Sequence, residues 1–374
     1  MAAGLGMGVV LTRSSRDATL LSMSQIPILA YFVSLFVVFL GSAFGAFGAS
    51  PGTPHLQVYA HRGVRSFAPE NTMPGFRAAL AIGTDFVDMD VVLTKEGEVL
   101  ISHDPLLKPE LVRKADGQFI EKNKYAVKNL TLKELQQFDV GRLNPESAYA
   151  KFFPDQLPVD GTRMPTLREV VRFVERETHG SVGFQIEMKT DPTHPESSAD
   201  PVVFASAVYR VLKEEKIIGR TEVQAFDFRC LTALQKLDSH LKTAYLTSRD
   251  NEKGGGDDFY SQDPALATLW TGGALLAQSG GSIPQMVKVM GGFAWEPEDA
   301  ELTLGSLKEA HSLGLKVVVW SWPEKLGTAF DAKMTAKMID WGVDGIITDD
   351  PGRLISMLAA RGASVPARWS LKGR

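Results

Sequence analysis

Residues 59–105 read YAHRGVRSFAPENTMPGFRAALAIGTDFVDMDVVLTKEGEVLISHDP. A short apolar run, Leu56 to Ala60, ends in His61-Arg62-Gly63. A second, Phe86 to Leu93, alternates, which puts Asp88 and Asp90 on one face of a strand. A third, Val99 to Ser102, ends in His103-Asp104. Between the first two, Asn71-Thr72 ahead of Pro74 reads as a helix start and Gly83 as its stop, with Phe76, Ala79 and Leu80 buried. Polar groups at the carboxyl ends of neighbouring apolar strands are what a barrel or an open α/β sheet uses as an active site.

The same alternation continues outward. Further strands are expected at Val182 to Met188, Glu222 to Phe226, Lys242 to Leu246, Val287 to Ala294, Lys316 to Trp320 and Gly345 to Ile347. Helices fall between them: one opened by a Thr166/Glu169 capping box, then Val202 to Lys213, Leu304 to Leu313 and Thr335 to Trp341. Strand and helix in turn predict a parallel sheet, closed as a TIM (β/α)8 barrel. Nine strand candidates compete for eight staves, and Val99 to Ser102 is either a stave or the return arm of a hairpin through Lys95-Glu96-Gly97. Residues 106–164 are charged and turn-rich, with one capping box at Thr131/Glu134. They read as an insertion after the second or third strand, over the mouth of the barrel. Ser248 to Asp263, with Gly254-Gly255-Gly256, reads as a flexible loop.

The 374-residue chain is 44% hydrophobic and 22% charged, an ordinary globular composition. A net charge of −4 gives no support to a nucleic-acid partner, so an anionic substrate needs a local positive site. A single cysteine, Cys230, rules out an internal disulfide. The amino terminus differs from the rest. Arg13 and Arg16 precede a charge-free apolar run from Ile26 to about Phe47, whose end is rich in Gly, Ala and Ser. Residues 1–49 are expected to be a signal peptide or a membrane anchor, and residues 50–374 the barrel domain. Either reading puts the barrel outside the cytoplasm, periplasmic or extracellular, with membrane association only through this segment.

The chemistry concentrates at strand ends. Asp88, Asp90 and Glu187 sit on two strands that a barrel brings together. Three carboxylates facing one point repel each other unless a cation lies between them, and an all-oxygen set suits Mg²⁺ or Ca²⁺. The alternative is that they cap helices or pair with Arg62 and Lys189. Of the seven histidines, His55, His179, His194, His240 and His311 sit in helices or polar loops without acidic or strand-end context. His61 and His103 each end a strand, and two imidazoles can supply the proton donor and the acceptor that phosphodiester cleavage needs. Arg62 can bind phosphate bidentately, and Lys189 adds a point charge. Glu70 either orients Arg62 or joins a metal site. Phe226 and Trp320 line the mouth or pack as core aromatics. Asp349 reads as the cap of the following helix.

HRG, PENT, the DMD carboxylate pair and HD, followed by IEMK (186–189), QAFD (224–227), VVVWSW (317–322) and DGIITDDP (344–351), form one ordered set. From about Val58 to Leu354 the chain thereby resembles the glycerophosphodiester phosphodiesterase family. The resemblance implies hydrolysis of glycerophosphodiesters to sn-glycerol 3-phosphate and an alcohol. It implies a divalent cation, Ca²⁺ or Mg²⁺, on Asp88, Asp90 and Glu187, and His61 and His103 as general acid and base. The family usually has Glu where this chain has Asp88, which shortens one arm of that site. Two other functions stay open: a lysophospholipase D or sphingomyelinase D-like enzyme of the same barrel superfamily, and an exported, non-catalytic phosphodiester-binding protein.

Overall fold

A computed structural model describes residues 55–122, 124–248, 265 and 268–371. Strands β1 (Gln57–Ala60) and β2 (Phe86–Leu93) flank helix α1 (Met73–Ile82). Thr72 caps α1 by accepting from the Gly75 N–H, and Gly83 ends it. Strand β3 (Val99–Ile101) and helix α2 (Leu132–Leu135) follow. The chain then alternates: α3 (Leu167–Thr178), β4 (Gly183–Met188), α4 (Pro201–Glu214), β5 (Thr221–Ala225), α5 (Phe228–Leu237), β6 (Lys242–Thr247). It finishes with α6 (Ile283–Val289), β7 (Ala294–Pro297), α7 (Leu304–Ser312), β8 (Lys316–Val319), α8 (Pro323–Leu326), α9 (Ala332–Trp341), β9 (Gly345–Thr348) and α10 (Pro351–Ala360).

Eight of these strands pair in parallel in the order β1-β9-β8-β7-β6-β5-β4-β2, and β1 pairs again with β2, which closes a (β/α)8 barrel. β3 runs antiparallel to β2, with Val91 opposite Ile101. It is the return arm of the hairpin, not a stave. The expected strand over Val287 to Ala294 is corrected. Ser282 accepts from the Gln285 N–H and Pro284 sits in the first turn, so Ile283–Val289 coils into α6; only Ala294–Pro297 extends. The apolar run had merged the inner face of a helix with the strand after it.

An apolar layer outside the strands and a mixed aromatic and polar filling inside them hold the barrel. Outside, helix faces such as Leu167, Val170, Val171 and Val174 of α3 bury against the strands. Inside, the bore is filled rather than open. Lys316 lies over the rings of Tyr59 and Phe86, with Nζ bonded to the Tyr59 hydroxyl and 3.0 Å from Glu222. Above it, Gln185 donates to Glu296 at 2.5 Å. The segment between β3 and α3 has its own small core, in which Leu107, Val112, Ile120, Val127, Leu135 and Met164 pack on Val92 and Leu100 of the hairpin.

The expected leader over residues 1–49, and the expected loop beyond Ser248, lie outside the described residues. Among the described residues, no helix is long and apolar enough to cross a membrane.

Candidate active site

At the end of β1 the chain turns sharply. Arg62 has φ +51° and Gly63 φ +90°. A Cβ on Gly63 would meet the Gly75 carbonyl carbon at 2.7 Å, so the backbone of α1 passes directly against this turn. The left-handed step costs a non-glycine residue energy but directs Arg62 back across the barrel end. Gly63→Ala is therefore expected to cost about 1–3 kcal/mol in chemical denaturation and to lower activity with it. An unchanged midpoint and rate would show that the turn does not set the site.

Arg62 is buried in a web of acids. Its Nη1 donates to Glu70 Oε1 at 2.8 Å, and its Nε lies 3.1 Å from Asp90 Oδ2. Burial pushes Glu70 up, but Arg62 and Arg65 more than reverse this and leave it below the usual carboxylate range. Asn71 clamps Asp90 from the other side: its side-chain amide donates to Asp90 Oδ2 at 2.7 Å, and its Oδ1 accepts from the Asp90 N–H at 3.2 Å. The helix cap and the carboxylate clamp thus come from adjacent residues, Thr72 and Asn71.

The strand register gathers the acids. Asp88 lies beside Gln185 and Asp90 beside Glu187 across β2 and β4, and Glu187 lies beside Gln224 of β5. Lys189 bridges the upper pair, with Nζ 2.5 Å from Glu187 and 3.4 Å from Asp90. Asp88 is one step deeper and accepts from Gln224 at 2.7 Å. Burial, then Asp90 and Glu187, hold Asp88 well above its ordinary value. Burial raises Glu187 to about 7; Lys189 opposes and Asp90 reinforces the rise. Asp90 takes the charge instead: burial pushes it up, but Arg62 and Lys189 pull it well below normal. Proton sharing of this kind is expected where carboxylates crowd together.

Asp88 and Glu187 bind protons more tightly than free carboxylates do, so a dication would compete with protons there, and the donors are all oxygen, so charge and ligand type fit Mg²⁺ or Ca²⁺. Among the described residues, no three His, Cys, Asp or Glu side chains converge as a ready ligand set. Asp88 is turned to Gln224, and Glu187 to Lys189.

Both strand-end histidines are anchored through Nδ1. His61 Nδ1 is 2.7 Å from Asp349 Oδ1, and His103 Nδ1 is 3.1 Å from Asp104. Despite their burial, Asp349 and Asp104 are both held below the usual range by their cationic and imidazole neighbours. An ionised carboxylate only accepts, so each Nδ1 carries the proton. Arg62 Nε lies 3.2 Å from His61 Nε2, where it donates to the lone pair that this tautomer leaves on that nitrogen. Burial lowers the pKa of His61, Asp349 opposes, and Arg65 adds to the fall. Burial, then Arg62 and Lys189, bring His103 down to about 4. Both rings are neutral at pH 7.

A cavity of about 470 Å³ opens above these groups, lined by His61, Arg62, Asp88, His103, Glu187, Lys189, Phe226 and Trp320. Phe226 and Trp320 meet edge to face at 5.4 Å, and Trp322 continues the aromatic wall at 5.1 Å from Trp320. Pro105 to Leu111, Lys122 and Tyr149, from the segment between β3 and α3, also line it.

Two expectations need correction. Asp349 does not cap α10; Asp350 does, accepting from the Arg353 N–H at 3.0 Å, which frees Asp349 for His61. Of the histidines expected to lack acidic context, His55 and His311 bond Asp85 and Asp344 at 2.9 Å, and His194 and His240 each pair with a nearby Asp at 3.1 Å. The two longer-range pairs join Asp85 and Asp344, which also accept the backbone N–H groups of Val58 and Val317, so they brace strands. Sequence reading gave no site role to Arg65, Asn71, Tyr149, Gln224 or Asp104, although Asn71, Gln224 and Asp104 stand within the PENT, QAFD and HD strings.

Residues 61–353 match the glycerophosphoryl diester phosphodiesterase family. A glycerophosphodiester phosphodiesterase of Caldanaerobacter subterraneus is 27% identical over 307 residues, 82% of this chain and 98% of that one. A solved structure from Silicibacter pomeroyi, assigned as a glycerophosphoryl diester phosphodiesterase, superposes with a TM-score of 0.71 at 29% identity, covering 84% of this chain and 97% of that one. A phosphodiesterase from Oleispira antarctica, solved with the product sn-glycerol-3-phosphate, has the same fold at 19% identity and a TM-score of 0.56, covering 82% and 97%.

Proposed function

The chain belongs to the glycerophosphoryl diester phosphodiesterase family, and from that premise we propose that it hydrolyses glycerophosphodiesters to sn-glycerol 3-phosphate and an alcohol. The observation that carries the reading is the pairing of two neutral, carboxylate-anchored imidazoles, His61 and His103, with a buried acid cluster in one cavity. A binding protein has no need of two such groups, whereas diester cleavage needs a proton taken and a proton given.

In this mechanism Arg62 and Lys189 bind the phosphate oxygens and offset the charge that grows on them. One of His61 and His103 takes the proton from the attacking oxygen at Nε2. The other takes up a proton as the anionic phosphate binds beside it, and gives that proton to the departing alcohol oxygen as the P–O bond breaks. Glu70 keeps Arg62 in place. Phe226 and Trp320 wall the space for the organic part of the substrate. Asp88, Asp90 and Glu187 would hold the Ca²⁺ or Mg²⁺ ion, which when bound polarises a phosphate oxygen and fixes the glycerol hydroxyls. The apolar run Ile26 to Phe47 supports action outside the cytoplasm, as an exported or anchored enzyme.

The test is direct. Purified protein with glycerophosphocholine and either cation is expected to release glycerol 3-phosphate, measured by a coupled dehydrogenase assay. Binding of the diester without product would leave the non-catalytic reading standing.

A further inference from the structure

The side chains around His61 form a closed ring. Arg62 donates to Glu70 at 2.8 Å. The Tyr149 hydroxyl donates to the other oxygen of Glu70. Arg65 Nη1 donates to that hydroxyl at 2.8 Å. Arg65 also grips Asp349 with two bonds of 2.8 Å. Asp349 accepts from His61 Nδ1, and Arg62 Nε donates to His61 Nε2. Five of the six members come from the segments that follow strands β1 and β9. The sixth, Tyr149, comes from the segment between β3 and α3.

We propose that Tyr149 is a positioning residue for His61 and Arg62, acting through Arg65, Asp349 and Glu70. This rests on the reading of His61 as a proton carrier and Arg62 as a phosphate ligand. A phenol is suited to the place because it accepts from a guanidinium and donates to a carboxylate at once. Burial keeps it un-ionised. Without the hydroxyl, Arg65 Nη1 and Glu70 Oε2 each lose a partner while the two residues are themselves buried, Arg65 at 2% and Glu70 at 6% exposure. Arg65 would then keep only Asp349 as a side-chain acceptor and Glu70 would keep only Arg62, so both arginines are set less firmly; His61 meets Arg65 through Asp349 at Nδ1 and Arg62 directly at Nε2.

The same segment holds Arg65 in two further ways. Gln156 donates to the Arg65 carbonyl at 2.8 Å, and the Phe153 ring lies 4.6 Å from its guanidinium. The segment therefore does more than roof the cavity: it completes the brace behind the proton-transfer group. A purely packing role for Tyr149 would survive loss of the hydroxyl, because the ring would still meet Phe153 at 5.1 Å.

The experiment compares full-length Tyr149→Phe with the wild type by steady-state kinetics on glycerophosphocholine and by thermal unfolding. The expected result is a fall in kcat of roughly 10- to 100-fold, the range for removing outer partners that orient working side chains, with KM changing far less. Asp349→Asn should give a loss of similar size, and the double variant no more than the larger single loss. In a His61→Ala background the effect of Tyr149→Phe should shrink to the part that passes through Glu70 to Arg62. Wild-type kcat in Tyr149→Phe, or a loss that multiplies undiminished onto His61→Ala, overturns the proposal. Wild-type turnover in His61→Ala alone would instead overturn the active-site reading on which it rests.

Discussion

Replacing His61 or His103 with Ala is expected to lower turnover of glycerophosphocholine by about 10²- to 10⁴-fold each, with the circular dichroism spectrum unchanged. The size follows from the role proposed for each ring. An alkoxide leaves poorly from phosphorus, and a hydroxyl attacks poorly, so losing either the donor or the acceptor raises the barrier of the same step. Arg62 and Lys189 remain in the variants and keep some electrostatic stabilisation, which is why the loss is bounded. The double variant should lose less than the product of the single losses, since each ring works only with its partner in place. The pH profile carries a second signature. Both rings titrate below the ordinary value of about 6.5, His103 near 4. A base is lost as pH falls through its folded-state pKa, so the acid limb of kcat/KM should lie below that ordinary value. Two single variants with wild-type rates would remove the histidines from the mechanism.

Much of this was legible from strand ends. Asp88 and Asp90 could be placed on one face because a strand has a period of two, and His61 and His103 because each follows a short apolar run. What the residues alone could not resolve was whether β3 was a stave. A hairpin arm and a stave have the same apolar pattern, and the difference lies in which edge they pair with. The misplaced strand at Val287 to Ala294 has a related cause: a buried helix face and a buried strand in tandem read as one apolar run.

Of the support behind the site, only Glu70 as the partner of Arg62 was legible. Asp349 and Asp350 are adjacent and identical in type, and only the backbone direction after β9 makes one a cap and the other the partner of His61. Arg65 meets Asp349 across 284 residues, and Tyr149 meets Glu70 across 79. Such pairs exist only because β1 closes on β9 and the segment after β3 folds back over the mouth. Closure is a property of the whole sheet, and no local spacing encodes it. Gln224 was missed for a different reason. It sits in a run read as a strand, and a buried amide there looks like filler until the register sets it against Asp88.

The second large effect concerns the acid cluster. Stripping divalent cations with EDTA is expected to lower activity by about 10²- to 10³-fold, the equivalent of the several kcal/mol a bound cation supplies to the charged transition state. Added Mg²⁺ or Ca²⁺ should restore it, and Asp90→Asn or Glu187→Gln should block the restoration. The thermal stability of the full chain gives an independent reading that needs no substrate. Glu187 is raised to about 7 and Asp88 also lies above its ordinary value, so in the cation-free site both bind protons that the unfolded chain has already released. Above the ordinary carboxylate range, stability without cation therefore falls as pH rises toward 7. A cation reverses that penalty, but below pH 7 it must first displace a proton from Glu187. The rise in Tm on adding Ca²⁺ or Mg²⁺ should then be small at pH 5.5 and larger at pH 8, and Glu187→Gln should flatten the difference. A rise that is equal at both pH values, or larger in acid, would mean the ion binds somewhere other than Asp88, Asp90 and Glu187.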